Sequence, residues 1–122
     1  MHYQKAVVWQ KAMEVARGIY VLVPLLPREE IYGMRSQITR AAVSVTTNIA
    51  EGWTRETQRD KIHFLTIAHG SLAETETLLT LCEQFGWFPR PRTAEVRTAM
   101  DETSRMLTVM RRNKRRLVRD EG

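Results

Sequence analysis

Six cations crowd the segment from residue 111 to the end, "RRNKRRLVRDEG": Arg111, Arg112, Lys114, Arg115, Arg116 and Arg119, against Asp120 and Glu121. On a helix turning about 100° per residue, all five arginines fall inside an arc of roughly 140°. Guanidinium groups on one exposed face suit phosphates, because each donates two parallel hydrogen bonds. A nucleic acid is the polyanion this chemistry fits, RNA or DNA. The same run also reads as a solubilising helix end whose cations complement the macrodipole. A second basic group, Arg35, Arg40, Arg55, Arg59 and Lys61, surrounds the "EGWTRET" stretch and the segment before it. There Arg55 follows Glu51 by four positions, so a structural ion pair accounts for part of it.

Other chemistries find no residue set. Di-iron bundles need inward Glu-x-x-His pairs, and none occurs. His63 and His69 stand six apart, about 240° around a helix, and do not share a metal from one face. Glu74 and Glu76 diverge as well. Cys82 lies on an apolar stripe and reads as a buried, inert thiol. Ser71, in "AHGSLAE", has no nucleophile elbow around it, and no glycine loop cradles phosphate. The expectation is therefore no catalytic residue, no cofactor and no metal. Trp9, Trp53, Trp87 and Phe88 fall near helix ends. Aromatics there either stack on bases or seal the bundle and its interfaces, and sealing is the better reading. Glu76 sits beside the Leu72–Leu79 stripe. A buried carboxylate needs donors, and Asn48 or Arg40 is the expected source.

The elements that must hold these residues are helices. Val8, Ala12, Val15, Ile19 and Leu22 recur at helical spacing until "PLLP". In "RAAVSVTTNIAEGWTRETQRD", Val43, Val45, Thr47 and Ile49 alternate as in a strand. Met34, Ile38, Ala41, Ala42, Val45 and Ile49 nevertheless keep a helical stripe for longer, and no other segment offers a strand partner. A helix ending at Gly52 is expected. A third begins at the Thr57 cap and carries Ile62, Leu65, Ala68 or His69, Leu72, Thr75, Leu79 and Cys82. A fourth follows "WFPRPRT", capped by Thr93, with Val96, Met100, Thr103, Leu107, Met110 and Leu117 inward. Asp101 and Arg105 make an i,i+4 pair. The fold class is all-α, an up-down-up-down antiparallel four-helix bundle.

The chain has 122 residues, room for one domain spanning 1–122, and 43% are hydrophobic. One cysteine excludes an internal disulfide and fits a reducing cytoplasm. Lys5, Lys11, Glu14 and Arg17 interrupt any secretory h-region, and no apolar run spans a membrane. Net charge is +5, of which residues 111–122 carry +4. The asymmetry favours a polyanionic partner over a generally basic domain.

Three blocks, "VWQKAMEVARGIY", "YGMRSQITRAAVSVTTNIAEGWTR" and "FLTIAHGSLAETETLL", resemble in order and spacing a bacterial four-helix-bundle family. Some of its members are encoded in intervening sequences of large-subunit ribosomal RNA genes. The resemblance covers most of residues 7–82 and implies a cytoplasmic, ring-like homopentamer. A related bundle is the accessory protein of diversity-generating retroelements, which binds nucleic acid and a reverse transcriptase. The implied function is a non-enzymatic nucleic-acid-binding or scaffold protein; the alternative is an adaptor for an enzyme such as a reverse transcriptase. Thr46 stands where the family commonly has proline, so a kink expected there is weaker.

Overall fold

The structure, a computed structural model, describes residues 2–121. Four helices follow one another: α1 (Val7–Leu22), α2 (Met34–Thr54), α3 (Gln58–Gln84) and α4 (Arg90–Glu121). Short 3-10 turns at Tyr3–Lys5, Val23–Leu25 and Arg28–Glu30 lead into α1 and join it to α2. Among the described residues there is no strand. Each helix packs on its neighbours in the chain and α4 closes on α1, giving the expected antiparallel four-helix bundle.

The apolar stripes form the core. Val15, Ile19, Ile38, Val45, Ile49, Leu65, Leu72, Leu79, Met100 and Leu107 are all buried. The ambiguous stretch in α2 is helical because helical spacing places Ile38, Ala42, Val45 and Ile49 on the core, whereas strand alternation would also bury Val43, which is exposed. Thr46 is buried, and its hydroxyl donates to the Val43 carbonyl at 2.7 Å. That bond satisfies the hydroxyl locally, and α2 runs through the position without a break.

Three local expectations change. Gly52 does not end α2, which continues to Thr54. It is buried instead, and a Cβ there would meet the Phe64 Cβ at 3.2 Å. Its role is close approach of α2 to α3, not a left-handed cap. Thr93 does not cap α4. The helix starts at Arg90 because a proline in the first turn lacks only an N–H that has no partner there anyway. Leu117 is exposed, for a reason that lies in the length of α1. The Thr57 cap does form: its hydroxyl accepts from the Asp60 N–H at 3.1 Å.

Two contacts set the seating of α4. At the α1 crossing, a Cβ on Gly18 would lie 2.8 Å from Val96 Cγ2. At the α3 crossing, Glu83, whose side chain is only 6% exposed, accepts from Arg97 Nε at 3.0 Å and Nη2 at 2.5 Å, and from the Thr93 hydroxyl at 2.6 Å. Arg97 Nη2 also donates to Thr80 Oγ1 at 3.0 Å. Arg97 and Thr93 hold the Glu83 carboxyl below the usual range against the opposing effect of burial.

Gly18→Ala is expected to destabilise the fold despite the better helix propensity of alanine, because stiff Val96 must yield. Gly70→Ala, with no atom within 4 Å of its new Cβ, is expected to stabilise by about 0.5–1 kcal/mol. Urea melts of the two variants test this opposition. Arg97→Ala strands a buried carboxylate and is expected to cost about 2–3 kcal/mol, below the value for a fully buried pair because Arg97 is itself partly exposed. The same melts read it, and a loss under about 0.5 kcal/mol would contradict the assignment.

Candidate nucleic-acid interface

The basic run occupies the end of α4, where the bundle loses a helix. α1 has 16 residues and α4 has 32. Ala6, Val7 and Val8 meet α4 around Met106, Val109 and Met110, lining one groove with Trp53 and Arg105. Beyond Met110 no part of α1 remains to cover α4, so Leu117 stays exposed. What continues beside it is the start of α3. Arg59 and Ile62 from α3 line a groove of about 550 Å³ with Arg115, Val118 and Arg119 from α4.

The six cations are not equivalent. Arg112, Arg115, Arg116 and Arg119 are exposed, and among the described residues no carboxylate lies within ion-pairing distance of them. Arg111 turns toward α3 and donates from Nη1 to His69 Nδ1 at 2.9 Å. Since a guanidinium only donates, Nδ1 accepts. The His69 proton therefore sits on Nε2, 3.0 Å from Ser104 Oγ, and is donated to that hydroxyl. Burial, then Arg111, lowers the His69 pKa below its ordinary 6.5. Arg111 Nε is buried with no hydrogen-bond partner. Lys114 is half-buried, and burial followed by the Lys61 charge lowers its pKa.

The second basic group divides. Lys61 donates to the Trp53 carbonyl at 3.2 Å and the Gly52 carbonyl at 3.5 Å, completing the last turn of α2. Lys61 and Lys114 line one polar recess with Gly52, Trp53 and Leu65, so Arg59 and Lys61 join the α4 cations at one end of the bundle. Arg55 pairs with Glu51 at 2.6 Å and covers the Phe64 ring at 4.5 Å, a structural role. Arg40 donates to Ser36 at 3.3 Å, and Arg35 is exposed in the first turn of α2. Both lie at the opposite end.

The aromatics pack. Phe88 is buried, Trp9 and Trp53 lie half-buried against the core, and Trp87 sits 4.8 Å from Phe85. Cys82 is buried and its thiol is pushed up to about 11 by desolvation. Neither Asn48 nor Arg40 reaches Glu76: Asn48 bonds Ser44 at 2.8 and 3.0 Å, within α2. Burial raises the Glu76 pKa, with Arg97 of α4 opposing the shift and Asp101 of α4 adding to it. The buried carboxylate that fixes register is Glu83, which periodicity alone did not single out. Its partners are ten and fourteen residues away across a proline-rich turn. The His69–Arg111 bond spans 42 residues and leaves no sequence signal either. Among the described residues no cluster of His, Cys, Asp and Glu is arranged for a metal.

These features define a class: a small four-helix bundle with a cationic overhang. Residues 4–109 match the model of the 23S rRNA-intervening sequence protein family, and the chain belongs to that family. Its fold is similar to the 1.70 Å crystal structure of a protein of unknown function from the S23 ribosomal protein family of Bacteroides thetaiotaomicron. The TM-score is 0.77 at 28% identity, covering 84% of this chain and 96% of that one. No curated protein matches the chain. The family match runs past the blocks first recognised and stops two residues before Arg111, so the arginine arc lies outside it.

The unfolded chain takes up a proton at His69 near pH 6.5, whereas the folded chain takes it up only at lower pH. Between those values the unfolded state binds more protons, so stability falls as pH drops through and below 6.5. Urea midpoints from pH 7.5 to 5 should show this loss, and His69→Gln should remove that part of the slope.

Proposed function

We propose that this protein is a non-enzymatic, homo-oligomeric nucleic-acid-binding or scaffold protein of the cytoplasm, acting through the basic end of α4. The observation that carries the reading is the set of four exposed arginines, Arg112, Arg115, Arg116 and Arg119, none within ion-pairing distance of a carboxylate among the described residues. The macrodipole explanation covers only Arg119, which lies in the last turn, because that effect fades within one turn. A homopentamer, the assembly implied by family resemblance, would present the stripe five times and multiply weak phosphate contacts by avidity.

A second reading, an adaptor for an associated enzyme such as a reverse transcriptase, is supported by a different surface. The groove lined by Val7, Trp53, Met106 and Val109 has a volume of about 440 Å³, and Val7 and Val109 are exposed. Such a patch suits a protein surface more than a polyanion.

Replacing Arg112, Arg115, Arg116 and Arg119 together by alanine is expected to abolish the mobility shift of labelled RNA or DNA at low salt. It should leave the helical circular-dichroism spectrum unchanged. For the unmodified protein, each phosphate contact should add about 0.7–0.9 to the salt slope of binding. Absence of binding to either polymer at low salt would defeat the reading. Capture of one protein that survives nuclease and high salt would then favour the adaptor.

A further inference from the structure

The groove between the start of α3 and the end of α4 is more than a row of cations. Arg59, Arg115 and Arg119 line it, together with the half-buried Ile62 and Val118, which supply apolar surface. A surface that only tracks a duplex backbone needs cations at phosphate spacing and gains nothing from aliphatic side chains, because a duplex keeps its base faces stacked. An unstacked base presents a flat apolar face beside two phosphates. Its needs are apolar atoms to lie on and guanidiniums close by, and this groove is lined by both. The volume of about 550 Å³ lies within the ~300–1,000 Å³ range of ordinary small-ligand sites. That admits a nucleotide.

Two neighbouring features leave cations at the same end without an acidic partner among the described residues. Lys114 and Lys61 share the adjoining recess, and no carboxylate lies within ion-pairing distance of either among the described residues. Arg111 keeps a buried Nε with no partner one turn before Arg115.

We propose that this groove is a site for single-stranded nucleic acid: one unstacked base lies on Ile62 and Val118 while Arg59, Arg115 and Arg119 hold the phosphates that flank it. The inference rests on the nucleic-acid reading above and adds strand state and the participation of α3. Sequence preference is weak, since every base has an apolar face and the groove offers few groups to read base edges.

The test is fluorescence anisotropy with a short labelled oligouridine, its duplex with oligoadenine, and an abasic strand of equal length. The single strand is expected to bind about tenfold more tightly than the duplex or the abasic strand, the gain from covering a few tens of Å² of apolar surface. Arg59→Ala, at an exposed position, should weaken single-strand binding about three- to tenfold and lower its salt slope by about 0.7. Ile62→Ser with Val118→Ser should erase the preference over duplex while leaving duplex binding in place. If that double variant loses its helical spectrum, Arg59→Ala and the abasic strand decide alone. Equal affinity for single strand, abasic strand and duplex overturns the groove but leaves the basic face as a nucleic-acid surface. Absence of binding to any of the three defeats both. Displacement of the strand by polyglutamate at matched charge overturns the site in favour of an acidic protein partner.

Discussion

The architecture turns on a mismatch of length. α1 spans about 24 Å and α4 about 48 Å at the rise of an α-helix, and the two run antiparallel from the Gly18–Val96 crossing. Four helices therefore enclose the core only where all four are present. Past Met110 the long helix has lost α1 and lies beside α3 alone. Apolar side chains there have nothing to bury against, which is why Leu117 is exposed although it continues the stripe of Met100, Thr103 and Leu107. A surface that cannot be buried is free to carry charge, and this one does. The cationic end is a consequence of where α1 begins as much as of the arginines themselves.

Length alone does not fix which way the arginines point. That depends on the rotation of α4 about its axis, set near its other end. The Glu83 carboxylate, nearly excluded from water, accepts from Nε and Nη2 of Arg97 and from the hydroxyl of Thr93. A bidentate pair of this kind tolerates little rotation. Gly18 against Val96 fixes the spacing from α1, and Lys11 reaches Glu102 at 3.0 Å further along the same crossing. From there the phase runs to Ser104 and Arg111, which meet His69 on either side of its ring. The fork at Glu83 thus helps determine which cations face α3 and which face water.

Much of this was legible in the residues. The stripe of Val8, Ala12, Val15, Ile19 and Leu22 is buried as its spacing required, and the helical reading of α2 holds because its core positions outnumber the strand-like ones. The Thr57 cap and the Asp101–Arg105 pair, at 2.7 Å, also form where local spacing placed them. What spacing could not give was any relation between helices. Gly52 looks like a terminator in one dimension and is a contact in three. Glu76 sits beside an apolar stripe yet faces α4 rather than α2, because the bundle's closure decides its neighbour. Arg59 and Arg119 are sixty residues apart in sequence and share a groove. Such pairings depend on helix lengths and turn geometry, which a hydrophobic period does not encode.

The cations of the overhang differ in their electrostatics. An exposed cation sits in water, where repulsion is screened and hydration is complete. Arg112, Arg115, Arg116 and Arg119 meet that description, but Arg111 and Lys114 do not. The pKa of each is lowered, chiefly by burial and then by a neighbouring cation, Arg115 for one and Lys61 for the other. The fold thus holds two positive groups where their charged forms are disfavoured, without a carboxylate in reach among the described residues. Arg111 has one imidazole nitrogen, and the neighbour of Lys114, Lys61, has the carbonyls at the end of α2. Neither supplies a full negative charge. An anion at this end would offset that repulsion and raise both lowered pKa values together.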